Sequence, residues 1–277
     1  RDPTVVALGI FGSVVEGRSW DRSDVDLWLV LDEDSDRHEA AAFLEQGAEV
    51  SLQIASRSNL RRLVERSRGS PMCRALATTR WLWCRDAGTE LLLERVRSFP
   101  EPWRGLRTLE AVDQIRARLD EAEKMLFLGE PLGAVPKLAD AFVHLARARL
   151  IGRGIYPGRD PVGQVIGSEP QLIQGLQDLT DGVLPVDERI EQAVEYLDGA
   201  TEPLAGPCLE ALRPVLAAGP RSASQLEDDP AFERLDLEWV ALLGWLVRLG
   251  LLQQGMRSYP AGQLFAGLPE IVYALPS

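Results

Sequence analysis

Lysine is nearly absent from this chain. Lys124 and Lys137 are the only two, so arginine carries almost all of the positive charge. Acidic residues outnumber basic ones 42 to 30, for a net charge of −12. That balance argues against a protein living on bare nucleic acid, where affinity comes from clustered cations that displace counterions. Cysteine is scarce and odd in number. Cys73, Cys84 and Cys208 are widely spaced with no CxxC pair, which excludes a disulfide framework and points to a reducing compartment. His38 and His144 are too few for a His-rich zinc site. Long apolar runs are also missing: the richest, Leu237 to Leu252, contains Glu238 and Arg248 and cannot span a bilayer. Thr4 to Phe11 is short and ends at Gly12-Ser13 without a small-x-small cleavage site, unlike a secretion signal. A cytoplasmic protein with no membrane partner is expected.

The 277 residues, 45% of them hydrophobic, suffice for one large domain or two to three small ones. The first hundred alternate strand and helix. Strands are expected at Thr4–Phe11, Asp24–Leu31, Glu49–Ile54 and Arg80–Cys84, with helices at Arg37–Gln46, Asn59–Arg68 and Thr89–Arg97. In the second strand Val25, Leu27, Leu29 and Leu31 face one way, while Asp24, Asp26 and Trp28 form a polar face. In the third, Val50, Leu52 and Ile54 point inward and Glu49, Ser51 and Gln53 outward. Pro100 and Pro102 bracket a linker. From Leu106 the period turns helical: Leu109, Val112, Ile115, Leu119, Ala122 and Leu126 form one stripe, and Val135, Leu138, Phe142 and Leu145 another. Further helices are expected at Pro170–Leu179 and Val186–Leu197. After Pro203 and Pro207, helices at Leu209–Ala218, Ser222–Glu227 and Glu238–Leu249 precede two strands near Gly255–Tyr259 and Ile271–Leu275, the outline of a winged helix-turn-helix. Three domains are therefore expected: 1–99, 100–204 and 205–277.

The chemistry is concentrated between Gly12 and Leu27. There Gly12-Ser13 closes one strand, and ten residues later Asp24-Val25-Asp26 opens the next, with Gly17 between and Ser23 directly before the first carboxylate. A glycine-led turn lets backbone amides and a serine hydroxyl approach phosphate oxygens. Two carboxylates two residues apart on a strand point the same way and can share divalent cations. Such cations polarise an α-phosphate, activate an attacking hydroxyl and neutralise departing pyrophosphate. Glu49, on a neighbouring strand, is placed to complete the ligand set.

At these residues the chain resembles the DNA polymerase β-like nucleotidyltransferase superfamily, most closely its minimal and aminoglycoside-type members. The family's pattern is matched at Gly12, Ser13, Gly17, Asp24 and Asp26, with the third carboxylate at Glu49, where many members have Asp. The Gly17 neighbourhood, Val14-Val15-Glu16, departs from the commoner small-Arg pair. The likeness covers residues 4 to 98, and 106 to 198 look only loosely like the family's helical substrate domain. It implies an α+β nucleotidyltransferase domain, a small mixed sheet with helices, followed here by an α-helical bundle and a winged-helix-like unit. It further implies catalytic and metal-binding roles for Asp24, Asp26 and Glu49, nucleotide contacts at Gly12 and Ser13, two Mg²⁺ ions, and ATP as the NTP. A carboxylate of the helical domain often serves such enzymes as general base. Glu110, Asp113, Asp120 and Glu121 lie on the first long helix, and surface salt-bridging is the simpler fate of each.

The expected activity is NMP transfer to a hydroxyl of a small molecule. Acidic against basic residues number 16 to 14 over 1–98, 18 to 11 over 99–204 and 8 to 5 over 205–277. The acidity concentrates in the helical segment, which suits a cationic acceptor such as an aminoglycoside. The alternatives are an antitoxin-like enzyme that adenylylates a partner protein, and a winged-helix DNA-binding regulator. The candidate recognition helix 238–249 offers Glu238 and Arg248 among Trp, Leu and Val, so packing or homodimer formation suits it better than base readout. Arg57, Arg61, Arg62, Arg66 and Arg68 read as a solvated helix face or as triphosphate contacts. Trp81, Trp83, Trp239 and Trp245 read as core, His144 as structural, and Cys73 and Cys84 as small hydrophobes.

Overall fold

A computed structural model describes residues 3–33, 38–67, 71–97, 99–233, 235–258 and 269–276. Its contacts divide into two compact units, Arg1–Trp103 with Gly154–Gly158, and Arg104–Arg153 with Arg159–Ser277.

The first unit is built on a five-stranded sheet of order β3-β4-β2-β1-β5. Strands β1 (Val5–Phe11) and β2 (Val25–Leu31) pair antiparallel, as do β3 (His38–Glu45) with β4 (Ala48–Ser56) and β1 with β5 (Arg80–Cys84), while β2 and β4 run parallel. The parallel pair needs a crossover, and β3 lies within it as the edge strand. Helices α1 (Arg57–Ser67), α2 (Pro71–Thr78) and α3 (Ala87–Arg97) supply Leu60, Val64, Leu76, Leu92, Leu93 and Val96 to a core shared with Val6, Ala7, Trp28, Val30 and Ala55. Phe99 donates its amide N–H to the Gly154 carbonyl and its ring stacks on Tyr156 at 4.5 Å between centroids.

Three expectations fail here. The helix expected over Arg37–Gln46 is strand β3 from His38 on, Arg37 lying outside the described residues. Its Ala40-Ala41-Ala42 and glutamates favour a helix locally. The Gln46-Gly47 turn, both residues at positive φ (50° and 84°), instead folds the segment back on β4 with Glu45 opposite Ala48. The polar face assigned to β2 is polar only at its end. Asp26 shares that face with Trp28 and Val30, both fully buried, whereas Leu27, Leu29 and Leu31 are only half-buried. The linker bracketed by Pro100 and Pro102 is the start of α4 (Glu101–Phe127). Pro102 occupies its first turn, where no intrahelical N–H is needed.

In the second unit the two helical stripes are core as expected. Leu109, Val112, Ile115, Leu119 and Ala122 of α4 pack with Leu138, Phe142 and Leu145 of α5 (Pro131–Gly152). The short α6 (Pro161–Val165) follows, then α7 (Pro170–Thr180), α8 (Val186–Thr201) and α9 (Ala205–Leu216). Ser222 caps α10 (Ala223–Glu227) through a reciprocal bond pair with Gln225. Helix α11 (Trp239–Arg248) leads to the hairpin β6 (Gln253–Ser258) and β7 (Pro269–Ala274), and Arg221 bridges antiparallel to Tyr273. Residues of the expected helical and C-terminal segments share one hydrophobic cluster, running from Leu109 to Tyr273. Tyr259 and Arg68, expected ends of elements, lie outside the described residues. Among the described residues no helix is long and apolar enough to cross a membrane.

Candidate active site

Strand β1 delivers the chain into a glycine turn. Gly12 adopts φ 76°, a backbone conformation that costs glycine little. A Cβ at Gly12 would collide with Asp26 Oδ2, so only glycine lets the carboxylate lie against the turn. The Gly12 carbonyl accepts from the N–H groups of Val15 (3.2 Å) and Glu16 (3.1 Å), and the Ser13 carbonyl from Arg18 N–H (2.9 Å). Gly17 turns the chain again at φ 67°. Arg74 of α2 ion-pairs with Glu16 and ties the turn to that helix. Neither α2 nor this pair was expected from the sequence; a Pro-initiated run of eight residues is too short for its periodicity to stand out.

Asp26 lies opposite Phe11 on β1 and Ser51 on β4. Asp24 directly precedes β2, whose first pair is Val25 with Val50, and Glu49 directly precedes Val50 on β4, so the three carboxylates lie at the same end of the sheet. Asp24 and Asp26 are half-buried and Glu49 is exposed. Among the described residues, neither Asp24 nor Glu49 has an ion-pair partner. The donors are hard oxygens, and the missing Gly12 Cβ makes room for one of them, a set that suits Mg²⁺. Among the described residues, no three His, Cys, Asp or Glu side chains stand close enough together to hold a metal as they are.

The helix-face arginines fare differently. Arg57 begins α1 at the opposite end of β4, where it pairs with Asp32 (2.8 Å) and Asp86 (3.1 Å). Asp86 also accepts from the Thr89 N–H and hydroxyl, both at 2.6 Å, and these bonds with Thr89 hold its carboxyl below the usual range. Arg57 is thus a fold-holding residue, far from Asp24. Arg80 is exposed at the start of β5, opposite Ile10 and so near the Gly12 end of the sheet. It is the better-placed cation, although a lone strand arginine carries no sequence signal.

The possible general bases also separate. Glu110 pairs with Arg107 at 2.7 Å, and Glu121 with Arg118 at 3.1 Å and Lys137 at 2.8 Å, as surface salt bridges do. Asp120 is exposed. Asp113 departs from that expectation: it is fully buried, and both its oxygens accept from the Glu238 N–H at the start of α11 (3.0 and 3.1 Å). Burial pushes its carboxyl up to about 6. His144 is half-buried and held down to about 4 by burial, consistent with a structural role. Cys73 and Cys208 are buried, and Trp239 and Trp245 are core. A cavity of about 410 Å³ lies between α7 and α8, lined by Gln174, Asp178, Arg189 and Tyr196 among others, and by none of the expected site residues.

No family model matches the chain, and no curated protein does. Among solved structures, a nucleotidyltransferase-like protein from Exiguobacterium sibiricum 255-15 matches 99% of this chain and 94% of its own, with a TM-score of 0.73 at 17% identity. At that identity the likeness is one of fold. The chain thus has the fold of a nucleotidyltransferase-like protein, over nearly its whole length.

Proposed function

We propose that this protein is a metal-dependent nucleotidyltransferase that moves AMP from ATP to a hydroxyl of a small, cationic acceptor such as an aminoglycoside. One observation carries the reading: Asp26 is seated against the Gly12 turn, at the end of the sheet where Asp24 and Glu49 also lie. Asp24, Asp26 and Glu49 would hold divalent cations, which when bound supply Lewis-acid stabilisation of the α-phosphate and pyrophosphate charge. The Gly12-Ser13 turn would receive phosphate oxygens on its backbone amides and the Ser13 hydroxyl. The concentration of acidic residues in 99–204 supports a cationic acceptor. Incubation with Mg²⁺, labelled NTPs and a panel of hydroxylated acceptors, followed by mass spectrometry, tests the reading. A product heavier than its acceptor by one NMP is expected, and no such product across the panel would overturn it.

A second reading concerns residues 205–277. The order α9, Arg221 bridge, α10, α11, β6, β7 supports a winged helix. At the recognition position, however, α11 exposes Val240 (68%) and ends in Arg248, with Trp239, Leu242, Leu243, Trp245 and Leu246 buried. A helix with one cation and no amide side chain has little with which to read bases. This supports a packing or homodimer role over DNA binding.

A further inference from the structure

Of the seven tryptophans, Trp20 alone is mostly exposed, at 66%, whereas Trp28, Trp239 and Trp245 are buried and Trp81, Trp83 and Trp103 half-buried. An indole left in water forgoes a large burial gain, and a single exposed aromatic needs no explanation on that ground alone. Trp20 is, however, built into position. Its N–H donates to Ser23 Oγ (3.0 Å), and its carbonyl accepts from the Ser23 N–H (2.8 Å), which closes a tight turn over Asp21 and Arg22. The Arg22 guanidinium lies 5.9 Å from the indole centroid, within cation–π range. Arg18, two residues before Trp20, is tied back to Ser13.

The turn ends where the carboxylates begin. A closed turn keeps its first and fourth Cα atoms within about 7 Å, and one peptide step of about 3.8 Å then reaches Asp24. The Trp20 backbone is therefore held within about 11 Å of Asp24. Arg22 lies against the indole, and Arg18 and Asp21 are near neighbours of Trp20 in sequence. An exposed aromatic ring on a backbone held by main-chain bonds, with the Arg22 guanidinium beside it, suits a flat heterocycle attached to phosphates.

We propose, resting on the nucleotidyl-transfer reading, that Trp20 is the stacking platform for the nucleobase of the NTP, with Arg22 supporting the indole. Stacking gains with ring area and reads no hydrogen-bond pattern, so this subsite would favour purines over pyrimidines without separating ATP from GTP.

The test is calorimetric titration of the full chain, in Mg²⁺, with ATP, GTP, CTP and inorganic tripolyphosphate, for the wild type, Trp20→Ala and Trp20→Phe. Loss of the platform should weaken ATP and GTP binding by about 5- to 150-fold, the range that removing one base–aromatic stack produces. CTP should lose less, Trp20→Phe should recover most of the affinity, and tripolyphosphate binding should not change. An exposed side chain should leave the melting temperature of both variants at the wild-type value. Unchanged ATP binding in Trp20→Ala overturns the platform and leaves the nucleotidyl-transfer reading standing. An equal loss of tripolyphosphate binding also overturns it, since the residue would then serve the phosphate turn. If the wild type binds none of the four probes, both readings fall.

Discussion

The second unit sets several of its acidic side chains against arginines, whereas the first leaves Asp24 and Glu49, at one end of its sheet, with no ion-pair partner among the described residues. In the second, Glu110, Glu121, Asp140, Glu169, Asp198 and Glu210 each stand against an arginine. In the first, Asp32 and Asp86 share Arg57, yet Asp24, just before β2, and Glu49, near the start of β4, have no ion-pair partner among the described residues. A carboxylate in an ion pair is committed to its partner, whereas one without such a partner can take a divalent cation. Ion pairing marks Glu110, Glu121, Asp32 and Asp86 as fold-holding acids, and burial alone marks no chemical one, since Asp113 is the most buried of the described acids.

The largest test of that contrast is at the sheet end. Asp24→Asn or Asp26→Asn should lower NMP transfer by at least ~10²–10³-fold, the size of effect seen when other preorganised transition-state charges are removed. Asp24 has no ion-pair partner among the described residues, so Asp24→Asn should leave the melting temperature unchanged or slightly higher. Near-wild-type turnover in either variant would place these residues with the fold-holding acids.

Glu49→Gln should have the next largest effect, and a split one. Turnover should drop by about tenfold or more while ATP affinity moves little, because the residue's task would be at the attacking hydroxyl. A changed melting temperature with unaltered turnover would make Glu49 an ordinary edge-strand residue.

Asp113 tests the other side of the comparison. A carboxyl raised to about 6 in the fold binds its proton more tightly folded than unfolded, so its contribution to stability falls as pH rises from about 4 to about 6. His144, depressed to about 4 in the fold, works in the opposite direction, contributing stability that is lost as pH falls from about 6.5 to about 4. Asp113→Asn keeps a carbonyl oxygen for the Glu238 N–H and isolates the first effect. Between pH 4 and pH 7 the wild type should lose up to ~3 kcal/mol relative to that variant in urea unfolding. A pH-independent difference would mean that the buried carboxylate is paired as well as its surface neighbours.

The smallest effect concerns the acceptor. Binding of an aminoglycoside should weaken several-fold between low and physiological salt, because charges lining a cleft act partly at long range and are screened over about 8–10 Å. ATP binding should change less. Calorimetry at two salt concentrations decides, and salt-indifferent binding would return the acidity of residues 99–204 to a solubility role.

How far these features could be read beforehand depended on what each residue answers to. Strand β5 was legible to the residue at Arg80–Cys84, and the α4 and α5 stripes are the core positions named from periodicity alone. The Gly-Ser and Asp-x-Asp spacing was legible because backbone chemistry restricts those positions. The His38–Glu45 strand was not, since its alanines favour a helix and only pairing with β4 overrides them. The core side of β2 was misjudged because alternation does not say which face the helices cover: Trp28 and Val30 belong to the core cluster, and Leu27, Leu29 and Leu31 do not. Asp113, Arg74 and Trp20 carry no local pattern at all. Each acquires its partner or exposure from segments whose approach is set by the folded chain.

The cluster that joins Leu109 to Tyr273 has a consequence for synthesis. Its members run from α4 and α5 to β7, more than a hundred residues later, so part of the apolar surface of α4 and α5 awaits segments that leave the ribosome much later. Contacts so distant along the chain form slowly, and the waiting surface is open to misassembly in the interval. A nascent chain stalled near residue 204 should therefore hold chaperones, and release them once β7 has emerged.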